Sequence, residues 1–289
     1  MRTILFNIKY YIKSLFHLKK ASVKDEDFNK LPLLQHPLPK VSIIILTYNN
    51  LELTKLCLES IEQNTHYSNV EIIIIDNAST DGTADFLKNQ YFQKAKIIFN
   101  QTNKGFAAGN NQGLRIASGD YSVILNNDTQ VSPYWLSRML VHFQQQSKIG
   151  LLGPVTNNIG NEAKIYTRYK DPKKIWNEVK GIMANHQGKL RPLKTAAFFC
   201  VMIPRKILEE VGGLDENFGL GFFEDDDYCR RVELKGYKIY CADDVFVYHH
   251  LSASYSKMKK IERKKLFEKN KQLYESKWGK WQPHVYRKD

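Results

Sequence analysis

Val123-Ile124-Leu125-Asn126-Asn127-Asp128-Thr129 is a short apolar run of β-formers that stops at two amides and a carboxylate. A run of this kind is the profile of a buried strand that delivers oxygen ligands at its C-terminal end. In open α/β sheets ligands gather at such strand ends, so Asp128 stands where a metal ion or a phosphate would be handled. The same four polar residues also suit a simple turn, with Asp128 capping the helix that Pro133 begins. The surrounding pattern decides between the two.

Upstream, residues 41–46, 70–75, 96–99 and 121–125 read as strands, separated by helical segments at 51–63, 83–89 and 106–117. Alternation of this sort predicts an α/β fold, a mostly parallel sheet with helices on both faces. Each strand runs into polar residues: Thr47-Tyr48-Asn49, Asp76-Asn77-Ala78-Ser79, Asn103-Lys104-Gly105 and Asn126-Asn127-Asp128. Four polar strand ends on one edge make a nucleotide-sized site. Gly105, Gly109 and Gly113 match neither the dinucleotide fingerprint nor the P-loop.

Downstream, a helix is expected over 133–146 and a strand over 150–155. Residues 156–192 are polar and irregular and read as an insertion or flap. Residues 195–203 are again strand-like, Pro204 opens a short helix, and two strands follow at 237–241 and 245–248, the second ending in His249-His250. Between them a glycine-aromatic loop, residues 218–223, leads into Glu224-Asp225-Asp226-Asp227 at the start of a helix. The helix dipole explains one or two acids there, not four, and such crowding raises at least one pKa.

The 289 residues carry a net charge of +13, unevenly distributed. Residues 1–40 hold 8 Lys/Arg against 3 Asp/Glu, residues 255–289 hold 12 against 4, and the body between them has 23 of each sign. A nucleic-acid-binding body would carry a basic stripe, so no nucleic-acid partner is expected. Each basic end also has apolar residues at helical spacing, Ile4, Ile8, Ile12 and Leu15 in the first and Ile261, Leu266, Phe267, Leu273 and Tyr274 in the second. Such helices either lie on an anionic membrane surface or pack on the protein body; the apolar face alone fits both. Neither end has the form of a signal peptide or a membrane span. Four scattered cysteines suit buried thiols in a reducing, cytoplasmic setting.

Taken together, six ordered stretches resemble the family two glycosyltransferases of the GT-A fold, in particular the bacterial rhamnosyltransferase-like members that build cell-surface polysaccharide. They are residues 42–49 (S-I-I-I-L-T-Y-N), 75–83 (I-D-N-A-S-T-D-G-T), 103–111 (N-K-G-F-A-A-G-N-N), 125–129 (L-N-N-D-T), 212–215 (G-G-L-D) and 222–230 (F-F-E-D-D-D-Y-C-R). The family's D-x-D metal motif is here Asn126-Asn127-Asp128, which keeps only its last carboxylate. The resemblance implies a Rossmann-like donor half over 41–130, an acceptor and catalytic half over 131–254, and flanking segments at 1–40 and 255–289. It further implies that Thr47, Tyr48, Asn49 and Asp76 meet the nucleotide, with Asn103, Lys104, Gly105, Asn126 and Asn127 along the same edge. Asp128 and His249 would hold Mn²⁺ or Mg²⁺, Asp225 would be the catalytic base and Glu224 its support. The expected reaction is inverting transfer from a nucleoside diphosphate sugar to a glycan or lipid-linked acceptor at the inner membrane face. A nucleotidyltransferase would show a Gly-rich, basic phosphate loop after the first strand, which residues 47–53 lack. A non-catalytic sugar-nucleotide-binding or membrane scaffold protein would not keep Asp128, Asp225 and His249 together.

Overall fold

The computed structural model describes residues 34–169, 171–250 and 259–288. The N-terminal basic segment lies outside them except for its last residues. The first half runs β1 (Val41–Thr47), α1 (Leu51–Asn64), β2 (Val70–Asp76), α2 (Thr83–Gln90), β3 (Lys96–Phe99), α3 (Phe106–Ile116) and β4 (Tyr121–Asn126). The second half runs β5 (Thr129–Val131), α4 (Trp135–Gln145), β6 (Ile149–Val155), α5 (Pro172–Asn185), β7 (Leu190–Pro192), β8 (Cys200–Pro204), α6 (Arg205–Val211), α7 (Glu224–Leu234), β9 (Lys238–His249) and α8 (Lys260–Trp278). One sheet collects the strands in the order β3-β2-β1-β4-β8-β6-β9-β5, with β7 paired to β9. Pairing is parallel from β3 through β4 and between β6 and β9, whereas β8, β5 and β7 enter antiparallel.

The sheet explains the unbroken apolar runs. Ile43 and Ile45 of β1 join one core cluster with Cys57, Leu58 and Ile61 of α1, while Ile44 joins another with Leu114 of α3 on the opposite face. Both faces are covered, so alternate residues are equally apolar; each such side chain fully buried contributes about 1.5–3 kcal/mol. Gly109 and Gly113 serve this packing: a Cβ on the first would collide with Leu46, and one on the second with Ile44 and Ile75. The glycine spacing lets α3 lie against the sheet.

Three expectations for the second half are corrected. The 156–192 segment contains α5, a full helix whose Ile175, Val179 and Met183 are buried in the second core cluster. The strand expected over 195–203 begins only at Cys200, because residues 195–197 are irregular and residues 198–199 form a turn. The two strands expected after 237 are one, β9, whose first part pairs with β6 and whose end pairs with β5. Short β5, for which the sequence carried no expectation, exists because Thr129–Val131 has β9 to pair with.

The C-terminal segment is attached to the body. Phe267, Leu273 and Trp281 pack against the cluster formed by Phe218, Phe223 and Tyr274, Lys277 is paired with Asp215 at 2.8 Å and with Asp227, and Trp278 Nε1 donates to Asp227 at 2.9 Å. Ile261 near the start of α8 stays exposed. Among the described residues no helix is long and apolar enough to cross a membrane.

Candidate active site

The parallel strand ends and the N-terminus of α7 open onto one cavity of about 760 Å³. On the strand side its wall includes Tyr48, Asn49, Asn77, Asn103, Gly105, Asn126, Asn127, Asp128 and His249, and on the helix side Glu224, Asp225 and Asp226. Thr47, Asp76 and Lys104, also expected at the nucleotide, are not part of that wall. Thr47 is buried opposite Asp76 in the β1–β2 register, and its hydroxyl donates to the Asp76 carboxylate at 3.1 Å. Asp76 in turn accepts from the Ser79 amide at 3.2 Å. The pair fixes the turn after β2. The Lys104 side chain is exposed, and only its amide enters the network, donating to Asn77 Oδ1 at 3.0 Å.

Asn77 was missed in the sequence although it stands inside a quoted motif. Its Nδ2 donates to Asn103 Oδ1 at 2.8 Å and to the Gly105 carbonyl at 3.2 Å, and its Oδ1 accepts from Asn100. It therefore ties the end of β2 to the loop before α3. Gly105 itself has φ 84° and no room for a Cβ, which would collide with the Gly219 carbonyl; the Phe106 amide donates to that same carbonyl at 3.2 Å. This contact joins the strand edge to the glycine-aromatic loop.

Sheet register brings the proposed metal ligands together. Thr129 pairs with His249 across β5 and β9, which sets Asp128 Oδ1 3.3 Å from His249 Nε2. His249 Nδ1 donates to the Asn158 carbonyl at 3.0 Å, the His249 amide donates to Asn157 Oδ1 at 2.8 Å, and the ring stacks on Phe199 with centroids 5.0 Å apart. With its proton on Nδ1, the imidazole turns the Nε2 lone pair toward a carboxylate oxygen, and a cation satisfies both. One carboxylate oxygen and one imidazole nitrogen suit a divalent ion that takes its remaining ligands from phosphate and water. Among the described residues no group of three or more His, Cys, Asp or Glu could hold an ion by itself. Asn127 is turned aside, its Nδ2 donating to Thr54 Oγ1 at 2.9 Å.

The four acids of α7 have separate fates. Asp227 is fully buried and neutralised by Arg231, 2.9 Å away, and by Lys277 of α8. Asp226 accepts from Thr195 Oγ1 at 2.9 Å and pairs with His284 Nε2 at 3.2 Å. Burial first, then the charges of Asp225 and Asp226, hold the Glu224 carboxyl well above its usual range, so it is a neutral acid. Asp225 is partly exposed at the cavity wall, and burial together with the charge of Asp226 pushes it up to about 7, opposed by the charge of His284. A group of this kind takes up a proton readily near neutrality. His284 and Trp281, both from the C-terminal segment, complete this wall; a lone histidine in a basic tail carried no signal in the sequence.

The preceding loop is strained and clamped. Phe222 and Phe223 have φ of 71° and 74°, a region that costs bulky residues about 1–3 kcal/mol each. Asn270 of α8 holds them there, its Nδ2 donating to the carbonyls of Phe218 and Gly221 at 2.7 Å and of Phe222 at 3.3 Å.

Among curated proteins, the chain is 26% identical over 75% of its length to the O-antigen biosynthesis protein RfbC of Myxococcus xanthus, covering 18% of that protein. It is 29% identical over 83% of its length to the uncharacterized protein y4gI of Sinorhizobium fredii, covering 28% of it. The chain thus spans well under half the length of these two relatives. An uncharacterized glycosyltransferase of Methanocaldococcus jannaschii, MJ1057, is 25% identical, with 79% of this chain and 77% of that one covered. Among solved structures, the mannosyltransferase PcManGT from Pyrobaculum calidifontis, in complex with GDP-Man and Mn²⁺, has a TM-score of 0.56 at 20% identity, covering 87% of this chain and 68% of its own. TarS of S. aureus has a TM-score of 0.55 at 17% identity, over 73% of this chain and 60% of its own. Both show the GT-A fold again. The sequence model of glycosyl transferase family 2 matches residues 42–212, which run from the first strand to the end of α6, and on that match the chain belongs to glycosyl transferase family 2.

Proposed function

We propose that the protein transfers a sugar with inversion from a nucleoside diphosphate sugar to a hydroxyl of a glycan or lipid-linked acceptor, as a step of cell-surface polysaccharide synthesis. The observation that carries this reading is the sharing of one cavity by the Asp128–His249 pair and the Asp225 carboxyl. The strand-end amides and Tyr48 receive the nucleotide, with Asn77 and Asn103 keeping the Gly105 loop in shape around it. Asp128 and His249 would hold a divalent ion, Mn²⁺ or Mg²⁺. When bound, that ion stabilises the negative charge gathering on the leaving group. Asp225 takes the proton of the acceptor hydroxyl as its oxygen forms a bond to the anomeric carbon; the bond from that carbon to the diphosphate breaks, and its electron pair leaves with the nucleotide. The neutral Glu224 adds no second negative charge beside the base.

The acceptor side is aromatic: Phe198, Phe222, Phe223, Phe267 and Trp281 line it. Such a wall suits the apolar face of a sugar ring. The setting is cytoplasmic, at the inner face of the membrane. Contact with an anionic membrane surface rests on the N-terminal basic segment and the exposed lysines of α8, because most of the apolar face of α8 is used against the body.

The test is a thermal-shift screen of nucleoside diphosphate sugars, GDP-Man and UDP-GlcNAc among them, with and without Mn²⁺ or Mg²⁺. A donor that binds only the folded chain raises its midpoint by mass action, and does so more strongly with the ion present. Stabilisation by no nucleotide sugar under either condition overturns the reading.

A further inference from the structure

Four consecutive acids begin α7, and the structure supplies a partner or a proton to three of them. Asp227 has Arg231 and Lys277, Glu224 keeps its proton in a buried setting, and Asp226 has Thr195 and His284. Asp225 remains as the carboxyl of the cavity wall, its Oδ1 accepting from the Asp226 amide at 2.9 Å. Of the four partner side chains, Lys277, Thr195 and His284 come from outside the helix, and the cation whose charge acts on Asp225, His284, comes from the far end of the chain. His284 is half-buried in the same cavity wall, 3.2 and 3.3 Å from the two oxygens of Asp226, with its ring edge-on to Trp281 at 5.8 Å between centroids.

We propose that His284 is a positioning residue of the transfer reaction: its imidazolium neutralises Asp226 and so leaves Asp225 as the carboxylate that faces the acceptor hydroxyl. This rests on the reading of Asp225 as the base. Two adjacent carboxylates in a site with little water cannot both be ionised without a cation beside them. Ionisable groups face the pair from each packed element. Glu224 and Asp226 face Asp225 from α7, and His284 faces it from the C-terminal segment. Asp226, Asp225 and, from the loop after β6, Glu162 face His284. Tyr274 of α8 and Cys229 of α7 lie in the same field and are held in their neutral forms, chiefly by burial. His284 is the cation of this group that touches Asp226. Burial opposes its proton, but the hydrogen bond to Asp226 and the charges of Asp226, Asp225 and Glu162 outweigh that and hold the proton above the usual histidine range. The segment that carries His284 is anchored independently: Arg287 donates to the Glu162 carbonyl at 2.7 Å and to Asp243 at 3.0 Å. Its place beside α7 therefore does not depend on the imidazole.

The experiment is a pH titration of the Asp225 carboxyl by NMR in the full chain with ¹³C-labelled aspartate, its resonance identified by its loss in Asp225→Asn. Three variants are compared: His284→Gln keeps a donor without the charge, His284→Lys keeps the charge, and Asp226→Asn removes the charge that His284 answers. The expected result is an Asp225 midpoint raised by about one pH unit in His284→Gln, returned toward wild type in His284→Lys, and lowered in Asp226→Asn. With the donor selected by thermal shift, the acidic limb of nucleoside diphosphate release moves up with the midpoint. At pH 7 His284→Gln then loses about fivefold in rate and recovers at alkaline pH. An unmoved midpoint, or one that moves alike in His284→Gln and His284→Lys, overturns the proposal, as does a rate loss that is the same at every pH. If His284→Gln fails to fold, His284→Lys against Asp226→Asn/His284→Lys decides: an Asp225 midpoint that the double variant leaves where His284→Lys has it overturns the proposal. Failure of the underlying reading looks different: Asp225→Asn would turn over like wild type while the midpoint still followed the charge at position 284.

Discussion

The cavity has two walls built on opposite plans. Apart from the Asp128–His249 pair, the strand wall is made of neutral groups, amides of Asn77, Asn103, Asn126 and Asn127, and the hydrogen bonds of Asn77, Asn103 and Asn127 stay within the first half of the chain. The helix wall is made of charges, and their partners arrive from α8 and the residues beyond it. Neutral amides at strand ends need only the local register to be satisfied. Clustered carboxylates need cations brought from elsewhere, so the helix wall depends on the long-range fold in a way the strand-end amides do not.

Asp225→Asn is the harshest test of that contrast. Loss of a general base lowers the transfer rate by roughly 10²- to 10⁴-fold, while donor binding, which belongs to the other wall, stays close to wild type by calorimetry. The same variant is expected to be more stable at neutral pH. The folded-state carboxyl titrates at about 7, above its ordinary 3.8, so the stability linked to it is present below that ordinary value and is lost as pH rises through 7. Denaturant melts at pH 5 and pH 8 should show the variant losing less stability over this interval than wild type does. A variant that turns over normally would place the base elsewhere among the acids.

On the strand wall, His249→Ala and Asp128→Ala should each weaken Mn²⁺ binding, measured by calorimetry in the presence of nucleoside diphosphate, by about 10- to 100-fold or more. Excess EDTA should abolish turnover by the wild-type chain. Full turnover in EDTA would reduce the Asp128–His249 pair to a structural contact between β5 and β9.

Asn270→Ala probes the dependence of the helix wall on the C-terminal segment without touching a charge. It leaves the buried carbonyls of Phe218 and Gly221 without their side-chain donor and releases a strained turn, at a cost of about 1–3 kcal/mol in chemical denaturation. The sharper expectation is a loss of transfer larger than the loss of donor affinity. Equal losses of both would mean that the clamp supports the whole cavity.

The smallest effect is expected at the far end of β2 from the cavity. Burial would raise Glu71, but Lys96, Ser42 and Ser118 hold its carboxyl at about 2. Its folded pKa lies below its ordinary 4.5, so the stability it contributes is present above 4.5 and is lost as pH falls toward 2. Glu71→Gln should flatten acid unfolding across that window and leave the neutral midpoint little changed, read by circular dichroism.

The first half of the fold was legible in the chain because its signals are local. The apolar runs of β1, β2 and β4 end at polar residues where the strands end, and Asp128 and Asp225 stand in the motifs that the sequence singled out. In α5 the buried Ile175, Val179 and Met183 carry a readable helical spacing, but the polar residues around them masked it. Asn77 was within a quoted motif, yet its role appears only when the end of β2 lies beside the loop before α3.

The sequence by itself determined the alternating α/β order, the polar strand edge, the acid cluster and the family. It also determined that each basic end has an apolar helical face. What covers that face in α8 was decided only by the tertiary structure, because periodicity records that a face is buried and not against what. A membrane surface and the Phe218–Phe223 cluster satisfy the same pattern. The partners of the acids were likewise beyond the sequence: Asp226 and His284 are 58 residues apart, and a charge acts through distance in space, which only the folded chain sets.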